Sequence, residues 1–113
     1  MIKKLYSNLI NSLNGLKIVL KENSFILELI GGIFLLPYLF LSEKPISIKL
    51  LILTIYFLLL AFEIFNTSIE KLSDKITKEI DQDIKNIKDL ASAAVYVVLT
   101  ILIILIIITF FIY

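Results

Sequence analysis

Three long apolar tracts, at residues 26–41, 48–62 and 95–113, constrain this chain more than any other feature. A helix needs roughly 20 mostly apolar residues to cross a bilayer. The third tract reaches that length outright, and the first two reach it once their polar edges are counted. The 113 residues are 59% hydrophobic, with a mean hydropathy of +0.99, too apolar for an ordinary soluble domain of this size. The expectation is an all-α membrane protein forming one domain over residues 1–113. Its approximate spans lie at 25–42, 47–65 and 92–112, with a polar segment at 66–90.

The first apolar tract does not read as a signal peptide. It follows about 25 mixed residues and lacks a small-residue cleavage site. Gly31 and Gly32 lie inside it, as is common in membrane helices. Ahead of it, Ile2, Leu5, Tyr6, Leu9, Leu13, Leu16, Val19 and Leu20 recur at helical spacing among Lys3, Lys4, Lys17 and Lys21. That pattern predicts an amphipathic helix over 1–24 lying in the membrane interface. Ser42, Glu43, Lys44 and Pro45 mark a short turn between the first two spans. Asp81-Gln82-Asp83 marks a break in the polar segment, and Ala91, Ser92, Ala93 and Ala94 open the last helix with small side chains suited to close packing.

Lysine placement orients the chain. Lys3, Lys4, Lys17 and Lys21 precede the first span; Lys71, Lys75, Lys78, Lys85 and Lys88 lie between the second and third. Only Lys44 and Lys49 sit by the short loop. Positive charge favours the cytoplasmic side, which places the N-terminus and residues 66–90 there.

Composition also excludes chemistries. Without cysteine there are no disulfides, thiolate nucleophiles or Cys-metal sites. Without histidine, a general base must be a carboxylate or a lysine. A net charge of +1 gives no reason to expect nucleic acid as a partner. No Gly-rich phosphate loop is present. A small transporter would need polar residues at mid-span, where the sequence offers little beyond Thr54 and Thr100.

What remains is a set of carboxylates at the membrane edge. Glu63, Asn66, Glu70 and Asp74 advance by three, four and four residues, so on a helix they share one face. Glu22 and Glu28 flank the entry to the first span. Polar groups at this depth are costly and are usually kept for function. Two or three such carboxylates could hold Mg²⁺ together with phosphate, with Lys88 offsetting phosphate charge. The alternative is a row of solvated interface charges with no shared site. The residues by themselves reach a membrane protein with a cytoplasmic polar site, and no reaction.

The same residues resemble the prokaryotic diacylglycerol kinase family, which includes undecaprenol kinases. Glu63-Ile64-Phe65-Asn66-Thr67-Ser68-Ile69-Glu70, with Asp74 beyond it, is similar to the family's Glu-x-x-Asn-Ser/Thr-Ala-Ile-Glu-x-x-x-Asp. Lys88-Asp89-Leu90-Ala91-Ser92-Ala93-Ala94-Val95 resembles the second family motif, at the family's separation of fourteen residues from Asp74 to Lys88. Glu22, Phe25 and Glu28 match an upstream pattern. The resemblance covers the whole chain and implies a homotrimer with composite sites between subunits.

Carried over by position, it implies that Glu63 is the catalytic base and that Glu22 and Glu70 are ligands of Mg²⁺. Asn66, Lys88 and Asp89 fall at nucleotide-site positions, and Glu79 and Asp81 align with a short segment that contacts ATP. Ser92 and Glu28 align near the lipid. The implied function is ATP-dependent phosphorylation of a membrane lipid, diacylglycerol to phosphatidic acid, in the bacterial inner membrane. Ser92 looks more like the diacylglycerol-using branch, whereas Asn66-Thr67 looks more like the undecaprenol branch. The competing reading is a non-enzymatic membrane scaffold or degenerate homologue. Two departures bear on the nucleotide: Asp81 stands where the family usually has His, and Asn86 where Arg or Lys is common.

Overall fold

The computed structural model describes residues 1–112; Tyr113, the end of the third apolar tract, lies outside the described residues. Four helices follow one another: α1 (Ile2–Val19), α2 (Asn23–Leu41), α3 (Ile46–Ile76) and α4 (Gln82–Ile112). No strand occurs among the described residues. The last three helices are each long and apolar enough to cross a membrane.

α3 and α4 run well past the expected spans. Each has 31 residues, or about 46 Å at 1.5 Å per residue. A hydrocarbon core is about 30 Å thick. Each helix can therefore cross it and still project about ten residues into water, carrying the polar segment as a helical stalk rather than a loop.

α4 begins at Gln82, nine residues ahead of the expected start at Ala91. The cause is local. Asp81 accepts a hydrogen bond from the Ile84 amide through its side chain (3.1 Å) and from the Lys85 amide through its carbonyl (2.9 Å). Aspartate is among the best residues at this capping position. α3 ends where Thr77 turns extended, with φ −160°. The turn is tightened by the Glu79 amide donating to Thr77 Oγ1 (3.0 Å).

The packed interior lies along α3. Ile52, Tyr56, Leu59 and Leu60 meet Phe25, Leu35 and Leu39 of α2 and Val95 and Leu102 of α4. α4 packs on α3 far more extensively than α2 does. Large side chains such as Phe34, Phe40, Phe57 and Ile103 face outward, as lipid-facing side chains do. Lipid is as apolar as leucine, so close packing and interhelical hydrogen bonds hold such helices together, not burial from water.

At the short-loop end, Lys49 donates to the Ser42 carbonyl at the end of α2 (2.6 Å), and Lys44 donates to the Thr109 carbonyl of α4 (3.1 Å). α1 leaves Leu5, Leu9, Leu13 and Leu16 exposed and buries Val19, at its end, in the packed interior. It joins α2 through the extended residue Glu22 (φ −87°, ψ 129°).

Candidate functional site

The polar face of α3 organises two groups of side chains at different depths. Glu63, Asn66 and Thr67 are buried, whereas Glu70 and Asp74 further along the helix are exposed. From Glu63 to Asp74 the helix rises about 16 Å.

The deeper group centres on Glu63, which is only 5% exposed. Its carboxyl lies beside that of Glu28 on α2. Glu28 sits inside α2, six residues past its N-cap, rather than merely flanking the entry. Glu28 Oε2 is buried with no hydrogen-bond partner among the described residues. An apolar cleft of about 280 Å³ between α2, α3 and α4 opens beside Glu28, lined by Leu27, Leu35, Leu59 and Leu102.

Glu22 and Glu70 both stand near enough for their charges to act on Glu63. Glu22 is the N-cap of α2 and pairs with Lys71 at 3.4 Å, so α2 begins opposite the Glu70–Lys71 turn of α3. Asn66 Nδ2 donates to Glu70 Oε1 (3.1 Å), which orients that carboxylate. Asn66 Oδ1 is buried without a hydrogen-bond partner among the described residues. No three acidic side chains among the described residues stand close enough to hold a metal by themselves.

The outer group surrounds the α3–α4 turn. A cleft of about 510 Å³ is lined by Asp74, Lys78, Glu79, Asp81, Lys85 and Lys88. Lys88 donates to Asp74 Oδ1 at 2.7 Å, so the two sequence motifs are clamped directly to each other. This hydrogen bond and the Lys88 charge hold the Asp74 carboxyl below the usual carboxylate range, with Lys78 and Lys71 adding to the effect.

The sequence-predicted residues therefore divide. Glu28, Glu63 and Asn66 gather at the first depth, Glu79, Asp81 and Lys88 line the cleft at the second, and Glu22 and Glu70 stand between them. Asp81 also caps α4, a role its position in the family pattern does not suggest. Asp89 does not line this cleft; it pairs at 2.7 Å with Lys85, one turn back, which does. Ser92 is half-buried on α4, one turn beyond Lys88 and on the same side as buried Val95.

Polar groups within the spans behave differently from one another. Thr54 and Thr100 turn back on their own helices, donating to the carbonyls of Leu50 (2.8 Å) and Tyr96 (2.7 Å). Tyr56 reaches across to α2 and donates to the Glu28 carbonyl at 2.9 Å. Sequence reasoning missed this residue, although a phenol inside a largely apolar tract is a signal, because its hydroxyl seeks a partner when buried.

Comparison with known proteins identifies the family. Residues 10–111 match the family model of prokaryotic diacylglycerol kinase. A diacylglycerol kinase from Sinorhizobium sp is 31% identical over 93 residues, covering 82% of this chain and 68% of that relative. With three helices of membrane-crossing length and a match that runs through both motifs, this multi-pass membrane protein belongs to the prokaryotic diacylglycerol kinase family.

Proposed function

We propose that the chain is a lipid kinase that transfers the γ-phosphoryl group of MgATP to a membrane-lipid hydroxyl, converting diacylglycerol to phosphatidic acid. The observation that carries this reading is a buried acid at lipid depth: Glu63, 5% exposed, faces Glu28 beside an apolar cleft. A lipid hydroxyl stays in the interfacial layer, so its proton acceptor must reach there too. Glu63 takes the hydroxyl proton as the oxygen bonds to the γ-phosphorus. The bond from that phosphorus to the β–γ bridging oxygen breaks, and ADP leaves. Glu28 stands beside Glu63 to share the arriving proton.

The donor set near Glu70 fits a hard cation, since an oriented carboxylate lies next to the unpartnered Asn66 Oδ1. Glu22 and Glu70 would hold Mg²⁺, which supplies charge neutralisation to the phosphate oxygens when bound with the nucleotide. The outer cleft, with Lys78, Lys85 and Lys88 on its wall, supports a phosphate-binding role there. A phosphate at Lys88 competes with Asp74 for that ammonium. Glu79 and Asp81 would border the nucleotide, Asp89 would hold Lys85 in place, and Ser92 would face the lipid. The exposed apolar row of α1 supports a helix lying on the cytoplasmic leaflet of the inner membrane. Three copies would complete each site between subunits.

Undecaprenol offers the same hydroxyl chemistry and is the second candidate substrate, favoured by Asn66-Thr67. The test is transfer of label from γ-³²P-ATP to either lipid in mixed micelles. Label in phosphatidic acid with the wild type, and not with Glu63→Gln, supports the reading. Label in undecaprenyl phosphate alone moves the substrate to the polyprenol. Folded wild type that labels neither lipid returns the scaffold alternative.

A further inference from the structure

α2 carries Glu28 but is the less extensively packed of the two helices that lie against α3. Something must nevertheless set its height and rotation, because a shift of one residue would turn the Glu28 carboxyl away from Glu63 by about 100°. One contact between these helices has the needed specificity. Tyr56, buried on α3, donates its phenol hydrogen bond to the main-chain carbonyl of Glu28 at 2.9 Å. The ring end sits where Gly32, one turn beyond Glu28, leaves a notch. A methyl group on Gly32 would overlap the Tyr56 hydroxyl and lie 2.6 Å from Cζ. The same methyl on neighbouring Gly31 would meet nothing within 4 Å. Of two adjacent glycines, only one is required by the fold, and it is the one that receives Tyr56.

We infer that Tyr56 is a positioning residue: its hydroxyl, seated in the Gly32 notch and bonded to the Glu28 carbonyl, sets the register of α2 on α3 and so holds the Glu28 carboxyl against Glu63. The contact acts on the backbone of the very residue whose side chain it aims. A main-chain carbonyl within a helix is a rigid handle, so fixing it fixes the helix rather than one rotamer. The bond lies in a region shielded from water, where a lost partner has few substitutes. This inference rests on the lipid-kinase reading only for its effect on turnover. The register itself is a property of the fold.

The test has a structural arm and a kinetic arm, both on the full chain in bilayers. Solid-state NMR of protein labelled with ¹³C at glutamate carboxyl carbons reads a Glu28–Glu63 carboxyl contact, assigned by its loss in Glu63→Gln. The wild type and Gly31→Ala should show it; Tyr56→Phe should weaken it and Gly32→Ala should abolish it. In the kinetic arm, Tyr56→Phe should lower kcat about three- to fifteen-fold, the range spanned by interhelical hydrogen bonds in membranes. The KM for MgATP should not change. In a Glu28→Gln background the same substitution should cost nothing further, because it acts through Glu28. A general packing role would instead add its loss in both backgrounds. Absence of the carboxyl contact in the wild type, its full persistence in Tyr56→Phe, or multiplying losses in the double variant would overturn the inference. Should Gly32→Ala fail to fold, Tyr56→Phe still decides the matter. If the contact responds as stated while wild type phosphorylates neither lipid, the register inference stands and the lipid-kinase reading falls.

Discussion

The two polar groups on α3 are built by opposite means. At the outer cleft, placement is local: Asp81 caps its own helix, Lys85 pairs with Asp89 one turn on, and Lys88 reaches Asp74 across a short turn. At the deeper group, placement is tertiary: Glu63 of α3 meets Glu28 of α2, and Tyr56 pins the backbone that carries Glu28. Solvent accounts for the difference. Exposed charges compete with water and salt, so each pair contributes little and redundancy is tolerable. A buried carboxyl has no water to fall back on and depends on the partner that the neighbouring helix supplies.

The comparison would break first at Glu63. Glu63→Gln preserves size and most hydrogen bonding but cannot take a proton, so lipid phosphorylation should fall about 10²–10⁴-fold. MgATP binding and assembly should persist, as read by nucleotide titration and by sedimentation in detergent. Near-normal turnover with weakened nucleotide binding would move Glu63 into the metal or nucleotide site.

Glu22 and Glu70 sharpen it next, because they bridge the two depths. Glu22→Gln and Glu70→Gln should each raise the Mg²⁺ concentration needed for half-maximal turnover. Their double variant should lose less than the sum, with a coupling of about 0.5–3 kcal/mol. Purely additive losses would mark them as two unrelated surface charges.

Asp81 provides a third test, aimed at the local character of the outer group. Asp81→Ala should cost about 0.5–2 kcal/mol of helix-capping stability and speed amide exchange in the first turn of α4. Asp81→Ser should restore both, since serine caps as well. If serine instead fails to restore the KM for MgATP, the carboxylate contacts the nucleotide directly as well as capping.

The smallest effect belongs to the Asp74–Lys88 pair. Its folded carboxyl titrates below the usual carboxylate range because Lys88 donates to it. The pair's contribution is therefore fully present above the ordinary aspartate range near pH 4 and is lost as pH falls through the depressed folded value. The protection of amides in the α3–α4 turn, taken relative to the intrinsic exchange rate at each pH, should be flat from neutral pH down to that range and fall only below it. Asp74→Asn should remove this acid-side change, and added salt should blunt it.

How much of this was legible depends on distance along the chain. The spans could be read because each depends on apolar residues contiguous in sequence. The shared face of Glu63, Asn66, Glu70 and Asp74 could be read because helical periodicity is local, and Asp81 was visible as a break because capping acts over three residues. The Glu28–Glu63 contact was not legible. The two residues belong to different helices, and helical spacing says nothing about the rotation of one helix on another. Gly31 and Gly32 looked alike for the same reason: only the packed partner shows that one faces open space and the other the ring of Tyr56.

The sequence by itself determined that this chain carries three helices apolar enough to cross a membrane and which α3 residues share a face, because hydropathy and helical period are set by residues close together in the chain. The tertiary structure decided which carboxylates meet, which lysine is already engaged, and which glycine is indispensable. Those depend on the height and rotation of helices that touch only after folding, and in lipid these are set by a few close contacts rather than by the hydrophobic pattern.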